Sequence, residues 1–376
     1  MLLACVSWAD VARAVQTDTL QASAESSASR PEPAPEPASA VCPKQRRALA
    51  VVAALVPGVV LHGSGHYVQG CGTLAQRLLF AELAGLGLVG LALAPAAIFG
   101  GNAYLVPFQA LTGMVGVALI AGSWLLDLYG SAVPMRLRGG AANRQPLLET
   151  VLGYRYVYEP VFETRHFMVQ GFDLWSGAVR FMPRADIAPT GHNARYRLPV
   201  AWRLFGATPT RVAADASHLD VVGAFTQHAF TSDGFSASTV EVLGQSRFDF
   251  ARFDPLLRGS FGELGAGVGM TRYAYEAPGA GHDYNSLLLM GFAVGAYFGD
   301  PNARGGEAKL YYDHRHDDFA AGLKLTGLGS GALGHFGFQS RAYHDRNWGL
   351  MLDAQVGSAY VLNLSLLFRQ GGSLER

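Results

Sequence analysis

Charge is scarce in this chain and carries no net sign. Only 15% of the 376 residues are charged and the formal net charge is zero, which removes the basic excess that a nucleic-acid partner requires. The punctuation of catalysis is also thin. No serine sits in a nucleophile-elbow setting, and no two carboxylates have the spacing of an acid–base pair. No cofactor is expected. Cysteine is down to three, Cys5, Cys42 and Cys71. If Cys5 leaves with a leader peptide, Cys42 and Cys71 remain as an even pair, a disulfide candidate in an oxidising compartment.

What is present in excess is apolar side chain and glycine. Half of the residues are hydrophobic, mean hydropathy is +0.17, and there are 46 glycines. The pattern is clearest at the end of the chain. Trp348, Leu350, Leu352, Ala354 and Val356, then Tyr360, Leu362, Leu364, Leu366 and Phe368, occupy alternate positions. Gly349, Met351, Asp353, Gln355, Val361, Asn363, Ser365, Leu367 and Arg369 lie between them. Side chains of a strand alternate between faces, so this spacing makes one apolar wall and one mostly polar wall.

Parity carries the argument across the turns. Pairing Val356 with Tyr360 leaves Gly357-Ser358-Ala359 as a three-residue connection. Pairing His344 with Trp348 leaves Asp345-Arg346-Asn347. Phe336, Phe338, Ser340 and Ala342 then join the same apolar face, with His335, Gln339 and Arg341 opposite. Similar alternation marks Phe319–Leu325, Leu288–Phe298, Leu264–Met270 and Tyr196–Leu204, so residues 150–370 hold about twelve strand-and-turn units.

A soluble β-sandwich carrying a membrane-anchoring helical hairpin also alternates, and is the competing architecture. Aromatics near strand ends (Trp348, Phe368, Tyr360, Phe298) and an opposite face rich in Gly, Arg, Asp and Gln favour a barrel. The last strand ends on Phe368, and in this the chain resembles Gram-negative outer-membrane β-barrel proteins, at the level of architecture. The resemblance implies an outer-membrane location.

The N-terminal third is built differently. Residues 1–14 read as a truncated or mis-started signal peptide, and 15–46 as a Pro/Ser/Ala-rich linker. Residues 47–131 are an apolar helical region of two or three helices (Ala48–Leu61, Leu78–Phe99, Tyr104–Tyr129), with Pro57 and Pro95 as interruptions and Glu82 and Asp127 as acids that cap helix ends or meet partners at the interface, a functional buried acid being the alternative. Residues 132–149 link this region to the barrel, and 371–376 are a tail. The fold class is therefore an α+β membrane protein: an apolar helical hairpin, then an antiparallel up-and-down barrel of about 12 strands. The helices are expected beside the barrel wall, since their surface is ill suited to a polar lumen.

Candidate site residues come from the polar face. Arg195, Arg197, Arg203, Glu263, Lys309, Asp313, Arg341, Asp353 and Asn363 are expected to line the lumen. His335, Asp353 and Ser365 come from neighbouring strands and form the one conceivable hydrolase-like trio. The cluster from Asp313 to Asp318 reads as a polar hairpin turn. His62 and His66, four apart, are the weak metal candidates, set in a glycine-rich turn. The best-fitting role is a narrow channel for small, including anionic, solutes, or a structural or assembly role in the envelope. A barrel-embedded hydrolase acting on lipid or lipid-linked glycan is the alternative, and the balance is against an enzyme. Lipid is the expected partner, with small solutes and an envelope protein on the hairpin as further ones.

Overall fold

The computed structural model describes residues 46–99, 103–140, 145–158, 165–190, 193–231, 234–276, 279, 281–300, 304–314, 334–357 and 359–370. The leader, all but the last residue of the linker, Cys42, the 319–325 segment, Arg315–Asp318 and the tail lie outside them.

The chain enters through α1 (Arg47–Leu55) and a one-turn helix α2 (Ser64–Val68), then the long helices α3 (Gly72–Phe99) and α4 (Val106–Ala132). The first helix stops short of Leu61 because Pro57 opens a separate 3-10 turn. Pro95, by contrast, lies within α3 and does not end it. Both long helices have the length and composition to span a bilayer. They cross at a pair of glycines. A Cβ on Gly85 would sit 2.7 Å from the Gly116 carbonyl oxygen, and one on Gly116 would sit 2.7 Å from that of Gly85. Removing both side chains lets the backbones touch, the main source of attraction where lipid supplies no hydrophobic drive.

The strands come next in an uninterrupted meander: β1 (Leu148–Tyr158), β2 (His166–Ser176), β3 (Val179–Phe181), β4 (Arg184–Ile187), β5 (Asn193–Phe205), β6 (His218–Phe230), β7 (Phe235–Asp249), β8 (Ser260–Tyr275), β9 (His282–Gly299), β10 (Gly305–Asp313), β11 (His335–Tyr343), β12 (Trp348–Val356) and β13 (Tyr360–Gln370). The short β3 and β4 both lie between β2 and β5 and share one place in the wall, which gives twelve staves. β1 pairs along its whole length with β13, from Leu148↔Gln370 to Tyr158↔Tyr360. The sheet closes on itself, and a two-sheet sandwich is excluded.

The closing hairpins adopt the register that parity predicts. Val356 pairs with Tyr360 and Phe336 with Val356. Leu362, Leu364 and Leu366 are 50%, 55% and 44% exposed, whereas Asn363, Ser365 and Leu367 are 0%, 1% and 0% exposed. The apolar wall is therefore the outer one. In water that arrangement would be strongly unfavourable, at ~25 cal/mol for every Å² left uncovered; in hydrocarbon the sign reverses.

Of the helix pair, α4 packs against the outside of the barrel, on β9 and to a lesser extent β8. Gly122 of α4 faces Val294 on the outer side of β9. At the proximal end of the barrel, where β1 starts and β13 finishes, Leu74, Leu78 and Leu126 bury Leu257 from the β7–β8 connection. Arg77 reaches Asp254 there at 2.9 Å, and Arg138, past the end of α4, donates to the carbonyls of Gly130, Val133 and Leu256. Part of the helical surface expected to serve an envelope partner is thus occupied by the chain's own wall.

Candidate functional site

Inside the wall, the side chains that alternate with the lipid-facing set converge on two cavities. The proximal one has a volume of about 310 Å³ and the other, nearer the distal end, about 280 Å³. Gln245, Glu263, Lys309 and Gln339 line both, so they mark the waist where the two meet.

The waist is a knot of charge. Arg247 on β7 donates through Nε and Nη2 to Glu263 Oε1 at 2.8 and 2.5 Å, and through Nη1 to Glu307 Oε2 at 2.6 Å. Lys309 Nζ holds the other oxygen of Glu263 at 2.7 Å. Register explains the assembly. Arg247 pairs directly with Glu263 across β7–β8, while Lys309 and Glu307 point inward two residues apart on β10. Phe261 lies beneath the Arg247 guanidinium, 4.1 Å from it. Charge-assisted, multidentate pairs of this kind fix their members tightly.

On the proximal side of the waist, the cavity is lined by matched pairs. Arg203 and Asp220 make two parallel bonds of 2.7 and 2.8 Å. Arg180 pairs with Asp173, and Arg341 lies 3.0 Å from Glu149, which also accepts from Tyr343. On the distal side the two walls differ. Arg155 (β1), Arg184 (β4), Arg195 and Arg197 (β5) cluster near Asp186, whereas Tyr311, Asp313, Gln339, Asp353 and Gln355 come from β10 to β12. Toward the distal end apolar side chains join the inward face. Val157, Phe167, Ala188, Ala359 and Val361 pack together on one side, and Phe230, Ala237 and Tyr273 on another. The inner wall is therefore charged in its middle and proximal parts, and near its distal end apolar clusters stand beside polar groups such as Asn193, His228, Asp313 and His335.

Of the nine residues expected to line the lumen, Arg195, Arg197, Asp313 and Asp353 line the distal cavity and Arg203 and Arg341 the proximal one. Glu263 and Lys309 line both. Asn363 lines neither of these two: it is wholly buried on the inner face, in register with Arg155 on one side and Asp353 on the other.

The hydrolase-like trio is not assembled. Ser365 pairs with Met351, while His335 lies one place beyond Phe336, the partner of Val356. The two stand six residue levels apart, about 20 Å at ~3.3 Å per residue. Ser365 donates to Asn363 at 3.1 Å, and Asp353 accepts from Tyr311 at 2.7 Å. His335 instead meets the Tyr311 ring edge-on. Neighbouring strands bring residues to one face but not to one height, and register was the missing coordinate.

His62 and His66 do not converge on a common point either. Asp127 of α4 is wholly buried and accepts from the backbone N–H groups of Gly63, Gly65 and His66 at 3.0 to 3.1 Å, while His66 Nδ1 lies 2.6 Å away. His62 Nδ1 lies 2.7 Å from Ser123 Oγ, and its backbone N–H bonds Glu82 at 3.0 Å. Both Ser123 and Glu82 lie on the Nδ1 side of His62, so this is not a relay in which the ring joins acid to nucleophile. The histidines are spent on separate contacts. Gly65 sits inside α2, where only glycine fits: a Cβ would lie 2.3 Å from Ser131 Oγ and 2.9 Å from the Ala50 carbonyl oxygen. Cys71, just before α3, is disulfide-bonded; Cys42 lies outside the described residues.

Several lumenal residues were not among those expected from the sequence. Arg155 and Arg247 obey the inward parity of their strands and were findable from it. Arg184 and Asp186 sit on a four-residue strand, too short for alternation to show.

No protein-family model and no curated protein matches the chain. Solved structures resemble it in architecture. The KdgM porin has 8% identity and a TM-score of 0.33, with 58% of this chain and 98% of that one covered. The outer membrane protein Omp33 of Acinetobacter baumannii has 10% identity and a TM-score of 0.31, covering 60% and 99%. The NanC porin has 9% identity and a TM-score of 0.32, covering 59% and 99%. Scores this low extend no further than strand architecture.

Proposed function

We propose that this chain is an outer-membrane β-barrel acting as a narrow channel for small hydrophilic solutes, anions among them. The observation that carries this reading is the pair of cavities stacked inside a closed wall, lined by charge and joined at Gln245, Glu263, Lys309 and Gln339. Cavities bordered by charge behind a lipid-facing exterior suit the entry of water and small solutes. Twelve staves enclose more than an eight-stranded barrel, whose side chains fill it, and much less than a large porin. The helix pair, in this reading, spans the same membrane and braces the wall at β8 and β9.

The waist favours a second reading, a structural role in the envelope with the lumen shut. Arg247, Lys309, Glu263 and Glu307 satisfy one another at 2.5–2.8 Å. Planar bilayers separate the two. The channel reading expects discrete conductance steps from the purified full chain; silence across salts and voltages would overturn it in favour of a closed strut. Lipid turnover that disappears in His335→Ala would reinstate an enzyme, and none is expected.

A further inference from the structure

The waist carries two side chains that the ion pairs around it leave alone. Gln245 on β7 and Gln339 on β11 line both cavities, and on the inner wall of a closed barrel their exposure opens onto the lumen. Among the described residues neither amide makes a hydrogen bond, and neither has its polar atoms sealed from the cavity. Register sharpens the point. Gln339 stands directly opposite Lys309 across β10–β11, yet Lys309 Nζ turns to Glu263 Oε2 at 2.7 Å. Gln245 stands directly opposite Asp220 across β6–β7, yet both Asp220 oxygens are held by Arg203, at 2.7 and 2.8 Å. Each amide faces a cross-strand charge that is already satisfied elsewhere.

The surroundings decide which solute gains from this. The carboxylates and guanidiniums that border the two cavities all have partners within the protein. An ion that gives up water there finds no free counter-charge to replace it, and opening a multidentate pair leaves one of its members uncompensated. Free amides impose no such cost. Each offers two N–H donors and a carbonyl acceptor, a set that matches hydroxyl groups, which also donate and accept. Cavities of about 310 and 280 Å³ lie at the lower end of small-molecule pockets, roughly 300–1,000 Å³, and suit a solute of a few carbons.

We infer that Gln245 and Gln339 form an uncharged selectivity site at the waist, and that it favours a small neutral polyol or sugar over an ion or zwitterion of the same size. Small anions are admitted without preference. The inference rests on the channel reading and narrows it. The charges of the wall are spent on one another, and the groups left free where the two cavities meet are amides.

The test is isosmotic swelling of liposomes carrying the purified full chain, with erythritol and threonine as probes. The two are close in size and neither needs a co-ion, but threonine carries both charges. Erythritol is expected to enter several-fold faster. In the double variant Gln245→Met and Gln339→Met the side chains keep their length and lose their amides. The ratio of the two rates is then expected to fall about threefold or more, the equivalent of one neutral hydrogen bond. Equal entry of the two solutes in wild type, or a ratio unchanged in the double variant, would overturn the site. Should the double variant fail to give a heat-modifiable barrel, Gln339→Glu keeps the shape and adds a charge. It is expected to lower the ratio while potassium conductance rises, and an unchanged ratio there overturns the site as well. Discrete conductance with no preference for erythritol leaves the channel and removes the site, whereas silent bilayers without swelling remove both.

Discussion

The helix pair and the barrel both bury charge behind lipid-facing surfaces, and they do so in opposite ways. In the helices, one carboxylate is surrounded by backbone. Asp127 holds three N–H groups of the Gly63–His66 turn together with the His66 ring, and nothing about the arrangement is exchangeable with water. In the lumen, charge meets charge along the border of the two cavities, as at Arg247, Glu263, Glu307 and Lys309. A buried acid that organises backbone sets a shape. A ring of side-chain pairs around a cavity sets a potential. Substitutions should therefore change folding in the first region and transport in the second.

The largest effect is expected from Asp127→Ala. It leaves three backbone donors and an imidazole buried without an acceptor, at about 1–3 kcal/mol for each unsatisfied group. The α1–α2 turn should come away from α4, seen as protease cutting between residues 55 and 72 in detergent or liposomes, with the heat-modifiable barrel retained. Protection equal to wild type would mean that Asp127 organises nothing. Next in size is Gly116→Leu, which puts a side chain where even a Cβ meets the Gly85 carbonyl at 2.7 Å. Helix separation is expected, by about 2 kcal/mol or more of lost packing. A cysteine cross-link across the two helices, formed in wild type and lost in the variant, would register it.

The lumenal side of the comparison is sharpened by Arg247→Gln. This frees Glu263 and Glu307 from their shared cation and leaves Lys309 as the counter-charge of Glu263 and Arg341, directly opposite on β11, as that of Glu307. The wall should still fold, because inter-strand backbone bonding is untouched. Conductance is expected to rise and selectivity to move toward cations by several-fold, read as a shift of reversal potential across a salt gradient. Unaltered currents would place the constriction elsewhere, for instance between the distal apolar clusters of Val157 and Phe167 and of Phe230 and Tyr273.

The same contrast explains how much of the molecule was legible in its sequence. The closing hairpins were readable to the residue because two-residue periodicity with opposed environments leaves one register open: Val356 with Tyr360, and Phe336 with Val356. Parity also pointed Arg195, Arg203, Glu263 and Asp353 inward. It could not give height along the barrel, which is why His335 and Ser365 looked like neighbours. Nor could it foresee the partners of Asp127, since a carboxylate reaching back some sixty positions to a glycine turn leaves no local period. The β3–β4 stave stayed invisible for another reason. Split into three and four residues, it is too short to show alternation, yet it supplies Arg184 and Asp186.

A weaker, solvent-facing version of the lumenal pairs tests where the division ends. In the proximal loops, Arg252 Nε lies 2.5 Å from Asp215 Oδ2, and the Ser217 N–H donates to Asp215 Oδ1 at 2.8 Å. Burial alone would push the Asp215 carboxyl up, but the bonds from Arg252 and Ser217 outweigh it and hold the group below the usual carboxylate range. A carboxylate depressed in the folded state adds stability above its unfolded pKa of about 4, and that stability is lost as pH falls through the lower folded value. With the Arg252 side chain 54% exposed, solvent screens the pair and the contribution should stay within about 0.2–1 kcal/mol. Thermal unfolding of wild type against Asp215→Asn should differ by a degree or so at pH 7 and converge near pH 3. Equal curves at both pH values would make this clasp an ornament of the loops, whereas a gap of several degrees would put it among the shape-setting contacts, with Asp127 rather than with the lumen.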